Sequence, residues 1–169
     1  HLVSEFKDYI NHYSRLSSRP FEFIDIQMSY AWGKDIAYRE EIPQLGIRSN
    51  LDFKIAANIN NNFRVTPSIN FEKLKKINSN EYFFDGYIAR LDLRYQFNTE
   101  LNFRIISEYN EFTDKFFVQP LISWRPNPDT IFYFGGNQNY IDNFVDYNSP
   151  NYRVSKTQLF LKFQYLIKS

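Results

Sequence analysis

Between residues 87 and 98 the chain reads Tyr87-Ile88-Ala89-Arg90-Leu91-Asp92-Leu93-Arg94-Tyr95-Gln96-Phe97-Asn98. Every odd position is apolar or aromatic, and every even one after Ile88 is charged or carries an amide. Successive side chains point to opposite faces of an extended strand, whereas a helical face needs spacings of three and four. The stretch therefore reads as a strand with one greasy and one polar face. The same period governs Ile47 to Ile59, where Ile47, Leu51, Phe53 and Ile55 alternate with Arg48, Asn50, Asp52 and Lys54. It governs Phe63 to Glu72, where Phe63, Val65, Pro67, Ile69 and Phe71 alternate with polar residues. It returns near the end, with Leu159, Leu161, Phe163, Tyr165 and Ile167 set against Phe160, Lys162, Gln164 and Leu166.

Carried outward, the pattern predicts strands at 2–14, 20–33, 46–60, 63–72, 86–98, 101–110, 116–125, 130–137 and 157–167. That is ~62% strand, far above the ~20–25% of an ordinary globular domain. The segment 2–14 also fits a helical face through Leu2, Phe6, Tyr13 and Leu16. The expected fold class is all-β: one domain over 1–169, an antiparallel up-and-down transmembrane β-barrel with about eight or nine strands seen here. A soluble antiparallel sheet has two unlike faces as well, so three further features bear on the membrane. Most segments reach the ~9–11 tilted residues that cross a bilayer, against a globular mode of ~5–6. In 87–97 the apolar face has aliphatics at its centre and rings at its ends, as in the aromatic girdles of outer-membrane barrels. Connections alternate short (15–19, 61–62, 99–100, 126–129) and longer (34–45, 73–85, 111–115, 138–156), the asymmetry of periplasmic turns and extracellular loops.

Composition removes other classes. Lys and Arg number 20 against 19 Asp and Glu, so the basic excess of a nucleic-acid-binding protein is missing. There is no cysteine, which excludes disulfides and thiol catalysis, and the two histidines are His1 and His12. Aromatics make up 20% of the chain although mean hydropathy is −0.51, a combination foreign to disordered segments and to helical membrane proteins. No constellation of nucleophile and base is read, so the chain is expected not to be an enzyme and to carry neither metal nor cofactor.

If the short turns are periplasmic, the last strand ends at the periplasmic side and the first runs downward. Nine strands then fall short of the even number of single-chain bacterial barrels. Two expectations follow: upstream strands complete the barrel, which is favoured because the chain starts at His1 rather than Met, or 2–14 is no strand and eight close alone.

The stretches Arg94 to Asn110 (RYQFNTELNFRIISEYN), Trp124 to Asn137 (WRPNPDTIFYFGGN) and Leu159 to Leu166 (LFLKFQYL) together resemble the C-terminal end of Bacteroidota-type outer-membrane barrels that follow a family-9 carbohydrate-binding-module-like domain. The resemblance is clear from residue 87 onward and looser before it. It implies an outer-membrane location and a larger protein with a periplasmic β-sandwich upstream; the family lends no activity. Outer-membrane barrels commonly end on an aromatic, and Tyr165 is the nearest here.

In such a barrel the polar faces line the lumen with Arg48, Lys54, Arg64, Arg90, Arg94, Arg104, Arg125 and Lys162 against Asp52, Glu72, Asp92 and Glu108. These charges are expected to form a cross-strand ladder; a lumen favouring anions is the sharper alternative. Lys73, Lys75 and Lys76 follow a strand at the outer rim, as a solvated loop or a contact to lipopolysaccharide phosphates. The loop 138–156 is rich in Asn, Asp and Tyr but lacks the spacing of a calcium loop. Gly135-Gly136 marks a bend or a close approach rather than a phosphate loop. The expected function is a Gram-negative outer-membrane barrel acting as a porin-like pore wall or as a scaffold for transport. Its partners are lipid, lipopolysaccharide and upstream strands or other outer-membrane subunits, with no nucleic acid. The alternative is a soluble lipocalin-like barrel that turns the apolar face inward around a hydrophobic ligand.

Overall fold

The computed structural model describes residues 10–38, 40–77, 79–142 and 152–167. They form nine strands: β1 (Asn11–Phe21), β2 (Ile24–Ala37), β3 (Gln44–Asn58), β4 (Phe63–Lys76), β5 (Tyr82–Gln96), β6 (Leu101–Asn110), β7 (Lys115–Asn127), β8 (Thr130–Asp142) and β9 (Tyr152–Tyr165). One 3-10 turn, Glu111–Thr113, follows β6. The strands make a single antiparallel sheet in chain order, each hydrogen-bonded to its sequence neighbours. The chain is thus all-β and up-and-down, as the alternation predicts. The sheet is open, with β1 and β9 at its two edges. Eight strands closing without the first is not what forms, because β1 pairs with β2 from Asn11↔Gly33 to Phe21↔Ile24.

The first connection is displaced from its expected place. Residues 15–19 belong to β1, and the turn is Glu22-Phe23. Ser17-Ser18-Arg19-Pro20 has the composition of a turn, yet β1 is an edge strand, where proline costs no ladder bond, and a bulge between Ser18 and Phe21 absorbs it. Residues 2–9 lie outside the described residues. Several strands run past their expected ends, notably β4 to Lys76, β5 from Tyr82 and β8 to Asp142, at the expense of the longer loops. One end of the sheet now carries the turns 22–23, 59–62, 97–100 and 128–129, and the other the connections that join β2 to β3, β4 to β5 and β6 to β7, together with the end of β8 and the start of β9.

Asparagine side chains build the tight end. The Asn60 carbonyl oxygen accepts the backbone N–H groups of Asn62 (2.9 Å) and Phe63 (2.8 Å). Asn98 does the same for Glu100 (2.9 Å) and Leu101 (2.7 Å), and Asn127 for Asp129 (3.1 Å). Each amide stands in for a backbone carbonyl and fixes the reversal.

Register converts the period of two into two continuous surfaces. One joins Leu16, Met28, Phe53, Ile69, Ala89, Tyr109, Phe116, Tyr140 and Val154, each directly opposite the next on the neighbouring strand. The other joins Gln27, Lys54, Ser68, Arg90, Glu108, Phe117, Asn139 and Lys156. Tyr13 and Arg15 of β1 and Arg90 and Glu108 of β5 and β6 line one cavity of about 590 Å³. In a flat sheet, β1 and β6 would stand roughly 24 Å apart at ~4.8 Å per strand. The sheet is therefore curled, with the polar face concave.

The four buried apolar residues among those described, Ala37, Ala56, Leu74 and Ile106, all belong to that concave face. Large apolar side chains on the convex face stay open: Trp124 is 46% exposed, Phe134 53%, Phe163 57% and Leu161 75%. Met28, Trp32, Ile47, Phe71 and Ile122 are likewise exposed there. Covering the remaining half of each would gain on the order of 1 kcal/mol. Nine such residues approach ~10 kcal/mol, as much as the whole net stability of a typical domain.

Candidate functional site

Register puts Arg48, Asp52, Lys54, Arg64, Glu72, Arg90, Asp92, Arg94, Arg104, Glu108 and Lys162 on the concave side, and Arg125 lines a cavity there with Asn102, Ser123 and Tyr133. Three of the acids are held by bases. Arg48 bonds Glu72 (2.5 Å) and Asp35 (3.1 Å), Arg90 bonds Glu108 (3.2 Å), and Arg94 grips both oxygens of Asp92 (3.1 Å each). Asp52 accepts instead from the Asn70 amide (2.6 Å) and the Ser29 hydroxyl (3.3 Å). Lys54, Arg64, Arg104 and Arg125 make no ion pair among the described residues, and Lys162 lies over the Tyr133 ring at 5.8 Å.

The imbalance has a place. Arg64, Arg94 and Arg104 stand directly opposite one another on β4, β5 and β6, forming a cross-strand row at the short-turn end. Arg125 and Lys162 lie nearer still to that end. The row opens on a cavity of about 740 Å³ that Arg64, Arg94, Asn62, Gln96 and Asn102 help to line. The Arg104 Nε is buried without a hydrogen-bond partner; so is that of Arg48, whose two terminal nitrogens are taken.

The opposite end is built differently. Here the 3-10 turn folds over the concave face and sets Phe112 edge-on against Phe84, ring centroids 6.1 Å apart. Gly86 makes room for it, since a Cβ there would fall 2.9 Å from the Phe112 ring. Glu111 accepts the Tyr87 N–H (3.1 Å), which pins the turn. An aromatic cavity of about 470 Å³ remains between Ala37, Phe83, Phe84 and Phe112.

The three rim lysines divide. They occupy the last turns of pleat in β4 rather than a loop, and alternation sends Lys73 and Lys75 to the convex face and Lys76 to the concave one. Lys76 bonds Glu81 (2.7 Å) and Lys75 bonds Asn80 (3.0 Å). The ammonium of Lys76 holds the Glu81 carboxyl below the usual carboxylate range, through its hydrogen bond first and its charge second.

Asp25 and Asp35 also belong to this face, and the strand expected over 20–33 stops short of Asp35. The step of two from Ser29 through Ala31 and Gly33 to Asp35 was the available signal. Asp25 takes the Arg19 guanidinium at 2.6 Å. Gly135 is a close approach: a Cβ would meet the Phe160 ring at 2.8 Å and the Pro120 carbonyl at 2.9 Å. Of the polar loop 138–156, Asn139 and Tyr140 belong to β8 and 143–151 lie outside the described residues. His12 stacks on Trp32 at 5.0 Å, and His1 lies outside the described residues. No group of His, Cys, Asp and Glu able to hold a metal forms among the described residues.

No family model, curated protein or solved structure matches the chain.

Proposed function

We propose that the chain is wall from an outer-membrane β-barrel, its convex face turned to hydrocarbon and its concave face to water, acting as a pore wall or as a scaffold within a membrane assembly. One observation carries this: most of the large exposed aromatic and aliphatic side chains line the convex face, while most strand charges, apart from Lys34, Lys73, Lys75 and Asp85 toward the long-connection end, share the concave face with the few buried apolar residues. In water that arrangement forgoes about as much free energy as a domain has to spare; in a bilayer it is the stable one. The strand lengths, the rings Tyr87, Tyr95 and Phe97 flanking aliphatics, and the resemblance from residue 87 onward to Bacteroidota-type barrels support the same reading. Open edges at β1 and β9 call for further strands, from the same protein or from another subunit. The convex faces of Lys73 and Lys75 at the long-loop end support a contact with lipopolysaccharide phosphates, for which Lys75 would exchange its bond to Asn80; Lys76 is turned away and engaged by Glu81.

The chain has no cysteine, so single cysteines report cleanly. In the full-length protein reconstituted in vesicles, with any cysteine outside these 169 residues replaced by serine, Asn70→Cys on the concave face is expected to react with a water-soluble maleimide at least tenfold faster than Phe134→Cys or Leu161→Cys on the convex face. Equal rates overturn the proposal. A protein that stays monodisperse without detergent, with its convex positions protected in an apolar interior, returns the lipocalin-like reading instead.

A further inference from the structure

Like charges directly opposite on neighbouring strands destabilise a sheet, and the short-turn end places three guanidinium groups in one such row. Asp92 supplies the one carboxylate bonded to the row among the described residues, and Arg94 consumes both of its oxygens. Arg64 and Arg104 are left with a full set of terminal donors. Directly opposite residues have Cβ atoms ~5 Å apart, so the three side chains can converge on a single ligand. The Arg104 Nε, buried and without a partner, has lost water and gained nothing in exchange. Beside the row lies a cavity of about 740 Å³ lined by Arg64 and Arg94 with the side chains of Gln96 and Asn102, while Asn62 on its wall donates its amide to the Gln96 carbonyl (2.6 Å) and Arg104 stands on the next strand, opposite Arg94. Two forked cations, the neutral amides of Gln96 and Asn102 and open volume suit a tetrahedral oxyanion: the planar fork matches two of its oxygens and the amides can reach the rest.

We propose that the row Arg64, Arg94 and Arg104 binds a phosphate group of a water-borne solute, either inorganic phosphate or a phosphate monoester. Arg64 and Arg104 supply the binding forks, and Arg94, anchored by Asp92, holds the middle of the row. The site needs a wet concave face, and to that extent it rests on the function proposed above. It does not need the convex face to meet lipid, so the two can fail separately.

The test is calorimetric titration of the full-length protein in detergent micelles, at fixed ionic strength, with inorganic phosphate, glycerol phosphate and chloride in separate runs. Saturable binding of a phosphate is expected. Arg64→Gln and Arg104→Gln should each weaken it at least tenfold, as losing a charge-assisted hydrogen bond requires. Lys34→Gln, which removes a cation from the convex face, should leave it unchanged. Tighter binding of glycerol phosphate assigns the site to an ester, and equal binding assigns it to the free ion. Without phosphate, both arginine variants should melt at or above the wild-type temperature, because each relieves repulsion in the row. Chloride binding as tightly as phosphate, affinity untouched by both substitutions, or variants that melt lower in phosphate-free buffer would each overturn the site. The cysteine labelling above reads the membrane independently of all of these.

Discussion

Arg48 and Arg104 lie on the same face of the same sheet, toward opposite ends, in contrasting company. Arg48 sits between two carboxylates, Asp35 and Glu72, in the half roofed by Phe112. Arg104 sits beside Arg94, which faces Arg64 in turn, in the half that opens on the larger cavity. Strand alternation assigned both residues to one surface and treated them alike. What separates them is the neighbouring strand: register delivers acids to one and cations to the other. A charged concave surface is thus two surfaces, a neutralised and partly covered end near the long connections and a cationic, open end near the tight turns.

The covered end should be the more sensitive to a steric insult. Gly86→Val places a branched side chain where Phe112 packs and is expected to lower stability by about 1–3 kcal/mol, the usual cost of overpacking. Urea unfolding in micelles measures it, and a silent substitution would mean that the 3-10 turn is not seated on the sheet. Charge removal should then give opposite signs at the two ends. Arg48→Gln strands two partly covered carboxylates and is expected to cost about 1–2 kcal/mol after allowance for solvent screening. Arg104→Gln in phosphate-free buffer should gain up to about 1 kcal/mol. If both variants lose stability equally, the contrast between the ends is not electrostatic.

The smallest effect concerns the tie between Lys76 and Glu81. The folded-state pKa of Glu81 is lowered, so the tie contributes fully above the ordinary carboxylate value near 4.5 and is lost as pH falls through the lowered one. Amide protection over 79–81, taken relative to the intrinsic exchange rate at each pH, should therefore fall on acidification below that value and stay flat above it. Glu81→Gln should show low protection at every pH. Acid-insensitive protection in the wild type would show the tie to be inconsequential for the loop.

How much of this could be read from residues alone follows from what a period of two encodes. Parity fixes the face of a side chain, so the shared surface of Arg48, Asp92 and Lys162 was legible. It fixes neither strand ends nor partners. Pro20 looked like a turn because composition does not reveal that its strand is an edge, and the run Lys73 to Lys76 looked like a loop because charge masked a continuing pleat. Losing the end of β2 concealed Asp35, and with it half of what neutralises Arg48. The arginine row was invisible for the same reason: Arg64, Arg94 and Arg104 meet only once two registers are known.

The nine strands also carry an arithmetic of direction. In an up-and-down sheet every odd-numbered strand points the same way, so β1 and β9 are parallel to each other. Zipping these margins together head-on would yield a parallel seam in an otherwise antiparallel cylinder. An antiparallel seam would demand an odd contingent of strands from elsewhere, because a second copy joined β1 to β1 and β9 to β9 would stand upside down in the same membrane. Such a contingent would restore the even total of the proposed barrel and leave the arginine row on its inner face.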